Sequence, residues 1–256
     1  MLGAIAGDII GSRFEVIPTK SRDFELFTDL NGFTDDTVLT VAIADAILND
    51  RSYEENLRLF GQKYPDAGYG GSFIRWLSGA IQGPYNSFGN GSAMRVSPVG
   101  FAFDTRSRVL EQARKTAEVS HNHPEGIKGA QAVALGVFLA RQGYPKEQIR
   151  EDLEREFDYD LSRSLNQIRP EYQFEISCQR SVPESIIAFL ESDDFTGAIR
   201  NAISLGGDSD TMGCMAGALA QAFYQNIPRA VTHRVYARIP EEFKEWALSV
   251  LRKENE

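Results

Sequence analysis

The sequence predicts an all-α protein, and three observations carry that prediction. Apolar residues recur at three- and four-residue spacing through most of the chain. No stretch reads as a convincing strand, and no turn carries a hairpin signal. No linker is long enough to divide the chain, so residues 1–256 are expected to form one domain, at the upper end of single-domain size.

Residues 2–11 read as a helix in which Gly3, Gly7 and Gly11 repeat among Leu2, Ile5, Ala6, Ile9 and Ile10. So thin a face suits close packing against another backbone, with Asp8 turned towards a site as the alternative. From Gly11 to Phe33 the periodicity fails and Pro18, Asn31 and Gly32 punctuate the chain. That predicts a long connection of the kind that forms lids, with Glu15 either a lid residue or an exposed carboxylate. Helices are expected at 34–49, at 53–63 before Pro65 and the Gly68, Gly70, Gly71 cluster, and at 72–81 before Gly83-Pro84. Residues 85–92 form a glycine-rich loop that opens into a helix start at Ala93-Met94-Arg95-Val96. It is either a plain linker or an anion site, because free amides and a helix dipole would point the same way.

Helices at 106–120, capped near Thr105, and at 125–142 flank His121-Asn122-His123-Pro124. Two histidines in one turn, with no cysteine or third histidine near, are a weak metal signal; one that touches a ligand or caps a helix fits better. Segments 146–156, 182–191, 194–204, 208–224, 228–237 and 240–253 complete the helical pattern. The stretch 159–180 gives no reading, and the charged tail 252–256 is expected in solvent.

Hydrophobic residues at 42% and charged residues at 25% match a soluble globular protein. Cys178 and Cys214 have no metal-type spacing and read as reduced thiols of an intracellular protein. No apolar run reaches the roughly 18 residues of a bilayer span, so a cytoplasmic location without membrane contact is expected. A net charge of -9 argues against binding nucleic-acid backbones. A monomer is the default.

Chemistry concentrates in two acidic clusters, Thr34-Asp35-Asp36-Thr37 and Gly206-Gly207-Asp208-Ser209-Asp210-Thr211, each directly before an apolar helical run. Capping explains one acid and one hydroxyl at a helix start. Two acids in one turn repel unless a cation lies between them, and oxygen-only ligands suit Mg or Mn rather than Zn.

Five segments in this order resemble the ADP-ribosylglycohydrolases: Gly7-Asp8-Ile9-Ile10-Gly11 with Glu15 after it, Thr34-Asp35-Asp36-Thr37, Phe88-Gly89-Asn90-Gly91-Ser92-Ala93-Met94-Arg95, Ser120-His121, and Gly206 to Thr211. The resemblance spans nearly the whole chain. It implies an orthogonal helical bundle around two Mg or Mn ions, held by Thr34, Asp35 and Asp36 on one side and Asp208, Asp210 and Thr211 on the other. It further implies hydrolysis of the bond from the distal ribose of ADP-ribose to an acceptor, with Glu15, Asp35, Asp36 and Asp210 catalytic and Glu15 mobile. Ser87, Phe88, Gly89, Asn90, Gly91, Ser92, Met94 and His121 would bind the substrate, Phe88 by stacking on adenine. The partner would be an ADP-ribosylated protein or a small ADP-ribosyl conjugate. A dinuclear-metal nucleotide phosphohydrolase and a catalytically silent ADP-ribose binder are the competing expectations.

Overall fold

The computed structural model describes residues 1–249, so the tail 252–256 and the last residues of the expected 240–253 helix lie outside the described residues. Among the described residues there are fifteen helices and no strand, and one isolated antiparallel bridge joins Gly89 to Ser177. No helix of the described residues is long and apolar enough to cross a membrane.

The core is built around α13 (Ser209–Tyr224), buried continuously from Ser209 to Ala222. A helix apolar on every side belongs at the centre of a core. It is covered by α1 (Leu2–Val16), α8 (Pro124–Arg141), α11 (Cys178–Leu190) and α12 (Phe195–Ile203). The backbone that the glycines of residues 2–11 approach is that of α13. A Cβ on Gly7 would lie 1.9 Å from the Gly213 carbonyl oxygen, and one on Gly3 would lie 2.3 Å from that of Gly217. Two helices in backbone contact leave no room for a side chain between them. The seam continues to Gly11, whose Cβ would meet Ser209 O at 2.3 Å, and so it carries Asp8 up to the first turn of α13.

The connection expected from Gly11 begins later. α1 continues to Val16, so Glu15 stands on the last turn of a helix and not in a loose lid. Ser12, Arg13 and Glu15 are polar or charged, and the apolar period is silent there although the helix goes on. The irregular segment that follows is tied down at several points. Arg13 bonds Glu25 O and Thr28 Oγ1, Arg200 Nη1 donates to the Arg22 and Phe24 carbonyls at 2.7 and 2.8 Å, and Asn31 Nδ2 donates to Ile9 O at 2.8 Å.

α2 (Asp35–Leu48) and α3 (Tyr53–Lys63) match the expected spans closely, while α4 (Gly71–Leu77) stops short, with Gly79 at φ +78 just beyond it. Three short helices lie where no period was legible: α5 (Gly91–Met94), α6 (Ser97–Ala102) and α10 (Leu165–Ile168). One or two turns are too few to establish a 3.6-residue repeat. α7 (Arg106–Glu118) starts at its Thr105 cap, whose Oγ1 accepts from Arg108 N. α11 starts at Cys178, four residues before the expected 182, with Pro183 buried inside it. Proline favours a first turn, which drew the expected boundary towards it.

Candidate metal centre and anion-binding end

A cavity of about 410 Å³ opens where α1, α2 and α13 meet the glycine-rich loop. Its acidic end is made by helix starts. Thr34 caps α2 and Asp208 stands at the cap position of α13, yet the Asp208 side chain makes no capping bond. Asp208 Oδ2 instead accepts from Asn90 Nδ2 at 2.8 Å, which ties the glycine-rich loop to α13.

Asp8 adds to the Thr34 cap of α2 from a neighbouring helix. Its Oδ2 accepts from the backbone of Thr34 and Thr37 at 3.0 and 3.1 Å and from the Thr37 hydroxyl, and its Oδ1 accepts from Thr34 Oγ1 at 2.8 Å. Asp8 thereby satisfies the amides of the α2 start and leaves the carboxylate of Asp36 for other work. Thr211 Oγ1 donates to Asp36 Oδ2 at 3.1 Å, while Asp36 Oδ1 is buried with no partner.

Two triads of carboxylates, Asp8/Asp36/Asp210 and Glu15/Asp208/Asp210, can each offer oxygens within 4.8 Å of one another. Asp210 belongs to both. Burial raises the carboxyl of Asp8 to about 6 and that of Asp35 to about 8, the latter with help from the Asp8 and Asp208 charges. Asp36, Asp208 and Asp210 are likewise raised, first by burial and, for Asp36 and Asp210, by neighbouring carboxylates as well. Glu15 is raised by burial and then by Asp208 and Asp8. Crowded buried acids with an orphaned oxygen fit a hard divalent cation, which supplies the missing charge and accepts that oxygen. The donor set therefore fits such a metal.

The cavity is also lined by Ser87, Gly89, Asn90, Gly91, Met94, Arg95 and His121, of which Asn90 and Met94 reach the acidic cluster. Part of the loop's donor capacity is already engaged: Asn90 N donates to Ile176 O at 2.8 Å and Gly89 N to Ser87 Oγ at 3.1 Å. Two expected substrate contacts lie off the lining. Ser92 is buried with its Oγ donating to Gly126 O at 2.7 Å, and Phe88 stands exposed with its ring edge-on to His123 at 5.5 Å. His121 is buried and held well below its usual value by burial and by Arg95, so its ring is neutral. Thr34, Asp35, Asp36, Asp208, Asp210, Thr211 and Glu15 all line the same cavity.

Among the lining residues that sequence reasoning missed are Phe174, Ile176 and Arg95. Phe174 and Ile176 line the cavity from the stretch 159–180. Their signal was the alternation Tyr172, Phe174, Ile176, which leads into the bridge at Ser177. Arg95 was visible only as a charge in the otherwise apolar run Ala93 to Val96.

Comparisons with known proteins place the whole chain in a family. The family model for ADP-ribosylglycohydrolase matches residues 1–255. The chain is 30% identical to ADP-ribosylhydrolase ARH3 of Danio rerio over 88% of this chain and 81% of that one. It is 24% identical to the ADP-ribosylarginine hydrolase Tri1 of Pseudomonas putida, over 88% of this chain and 69% of that one. A solved structure described as an ADP-ribosylglycohydrolase-related protein complex superposes with a TM-score of 0.74 at 25% identity, covering 98% of this chain and 96% of that one. The chain belongs to the ADP-ribosylglycohydrolase family.

Proposed function

We propose that this protein hydrolyses the glycosidic bond between ADP-ribose and an acceptor and releases intact ADP-ribose. The observation that carries the reading is the double character of one cavity, lined both by crowded carboxylates around the orphaned Asp36 Oδ1 and by neutral or cationic donors. A nucleotide sugar has matching ends, a ribose rich in hydroxyls and a diphosphate. The names of relatives point the same way, since one is an ADP-ribosylhydrolase and another an ADP-ribosylarginine hydrolase.

Asp36, Asp208 and Asp210 are the ligands we assign to Mg or Mn, with Thr34, Asp35 and Thr211 beside them. The sharing of Asp210 between two triads supports two adjacent ions. When bound, such ions orient sugar hydroxyls and lower the pKa of water. Asp8 holds the α2 start so that Asp36 faces inward. Glu15, at the mouth with a raised pKa, is suited to hold or move a proton at its carboxylate oxygens near the scissile bond. Phe174 and Ile176, both exposed and both lining the cavity, offer an apolar surface to a base.

Product analysis tests the reading. Protein incubated with arginine- and serine-linked ADP-ribosyl peptides should release intact ADP-ribose and unmodified peptide, as seen by mass spectrometry. Appearance of AMP with a phosphoribosyl peptide would replace it with phosphohydrolysis, and binding without turnover would replace it with a silent binder.

A further inference from the structure

The proposed function leaves one charged cavity residue without a role. Arg95 follows α5, lines the cavity and is 0% exposed. Its Nη2 donates to Thr116 O and to Ser120 Oγ, both at 2.8 Å, while Nε and Nη1 are buried without a partner. A buried guanidinium bonded to a carbonyl and a hydroxyl, with two donors idle, is costly unless an anion completes it.

The hydroxyl passes the consequence on. Ser120 Oγ lies 2.8 Å from His121 Nδ1. A guanidinium can only donate, so Ser120 Oγ accepts from Arg95; with the neighbouring Tyr85 hydroxyl donating to its second lone pair, its own hydrogen is left for Nδ1. An Nδ1 that accepts puts the ring proton on Nε2. That nitrogen faces the glycine-rich loop: a Cβ on Gly91 would lie 3.1 Å from it and one on Gly89 3.6 Å. Tyr85 lies against this pair, its ring centroid 5.7 Å from that of His121 and its hydroxyl beside Ser120, and the charges of Asp35 and Cys178 also reach Arg95. The charge that reaches His121 is that of Arg95, which opposes an imidazolium.

We propose that Arg95 is a positioning residue for anion recognition: through Ser120 it fixes His121 as the Nε2–H tautomer and backs that neutral donor with a buried positive charge. The glycine-rich end then takes a phosphate-bearing ligand without a charged histidine. The proposal rests on the proposed function only for the identity of that ligand.

Two measurements test it. Side-chain ¹⁵N shifts of His121 in ligand-free protein should show an unprotonated Nδ1 and a protonated Nε2, unchanged between about pH 5.5 and 8. Ser120→Ala keeps the charge but cuts the link. It should give mixed tautomers and weaken ADP-ribose about tenfold in calorimetric titration, the scale of one charge-assisted hydrogen bond, while adenosine affinity holds. Arg95→Lys, if it folds by circular dichroism, should do the same. A wild-type ring protonated on Nδ1 would overturn the proposal, as would Ser120→Ala with unchanged tautomer and affinity. Equal loss of adenosine and ADP-ribose affinity would also overturn it, because it would mark Ser120 as merely structural. The tautomer needs no ligand, so wild-type protein that shows it yet ignores ADP-ribose would support the relay and overturn the ADP-ribose assignment.

Discussion

The two sets of residues that line the cavity solve opposite electrostatic problems with opposite materials. On the acidic side the side chains supply the chemistry: Asp35, Asp36, Asp208 and Asp210 crowd two helix starts and are held above their usual pKa range by burial and, except for Asp208, by neighbouring carboxylates. On the donor side Gly89 and Gly91 present backbone, His121 is neutral, and the one charge, on Arg95, is buried behind them. The acidic side is thus destabilised until a cation arrives, whereas on the donor side most groups are already bonded and only the Arg95 Nε and Nη1 donors wait for an anion. The difference teaches that metal should govern the stability of this protein and that the loop should govern only its affinity for ligand.

The largest effect should come from breaking what holds the acidic end in place. Gly7→Val puts a branched side chain where a single Cβ already lies 1.9 Å from Gly213 O. A loss above about 4 kcal/mol, read as failure to fold cooperatively in thermal melts, is expected. A next, smaller effect is chemical. Asp210→Asn removes the carboxylate common to both triads. It should lower turnover by more than about 10²-fold and abolish the rise in melting temperature on adding Mn, while the metal-free protein melts no lower than wild type because repulsion is relieved. A variant that keeps the Mn-dependent rise would break the comparison at its acidic end.

The pH dependence of the metal-free protein sharpens the same point. An acid raised in the folded state above its unfolded value of about 3.9 stabilises the fold fully below that value and loses its contribution as pH climbs through the folded value. Those folded values are about 6 for Asp8 and about 8 for Asp35. With chelator, the melting temperature should therefore fall between pH 5 and 8.5, and millimolar Mn should flatten that fall. An equal fall with and without Mn would contradict it. The smallest effect belongs to the loop. Gly91→Ala places a methyl 3.1 Å from His121 Nε2. ADP-ribose affinity should drop about tenfold by titration, as for one blocked hydrogen bond, with the Mn-dependent melting shift intact.

The acidic end was legible in the sequence because its ligands are side chains clustered at helix starts. Asp8 was harder to read: its role depends on the Gly7 and Gly213 contact between residues some two hundred apart, and the repeat of Gly3, Gly7 and Gly11 announced the contact but not its partner. The helix through Glu15 was hidden because polar residues carry no apolar period, and the tethers of the segment after it are arginine and asparagine side chains reaching backbone carbonyls, which leave no pattern. Phe174 and Ile176 come from a stretch that pairs with Gly89 through one bridge only, too little for a strand signal. Arg95 is the sharpest case. A lone charge in an apolar run reads as exposed until its burial against the end of α7 is seen.

The most direct test of the account is hydrolysis of an ADP-ribosyl peptide by exhaustively chelated protein, before and after Mn is titrated back. The account predicts no release of ADP-ribose without metal and recovery of release as Mn is restored. Full turnover in the chelated protein would contradict it.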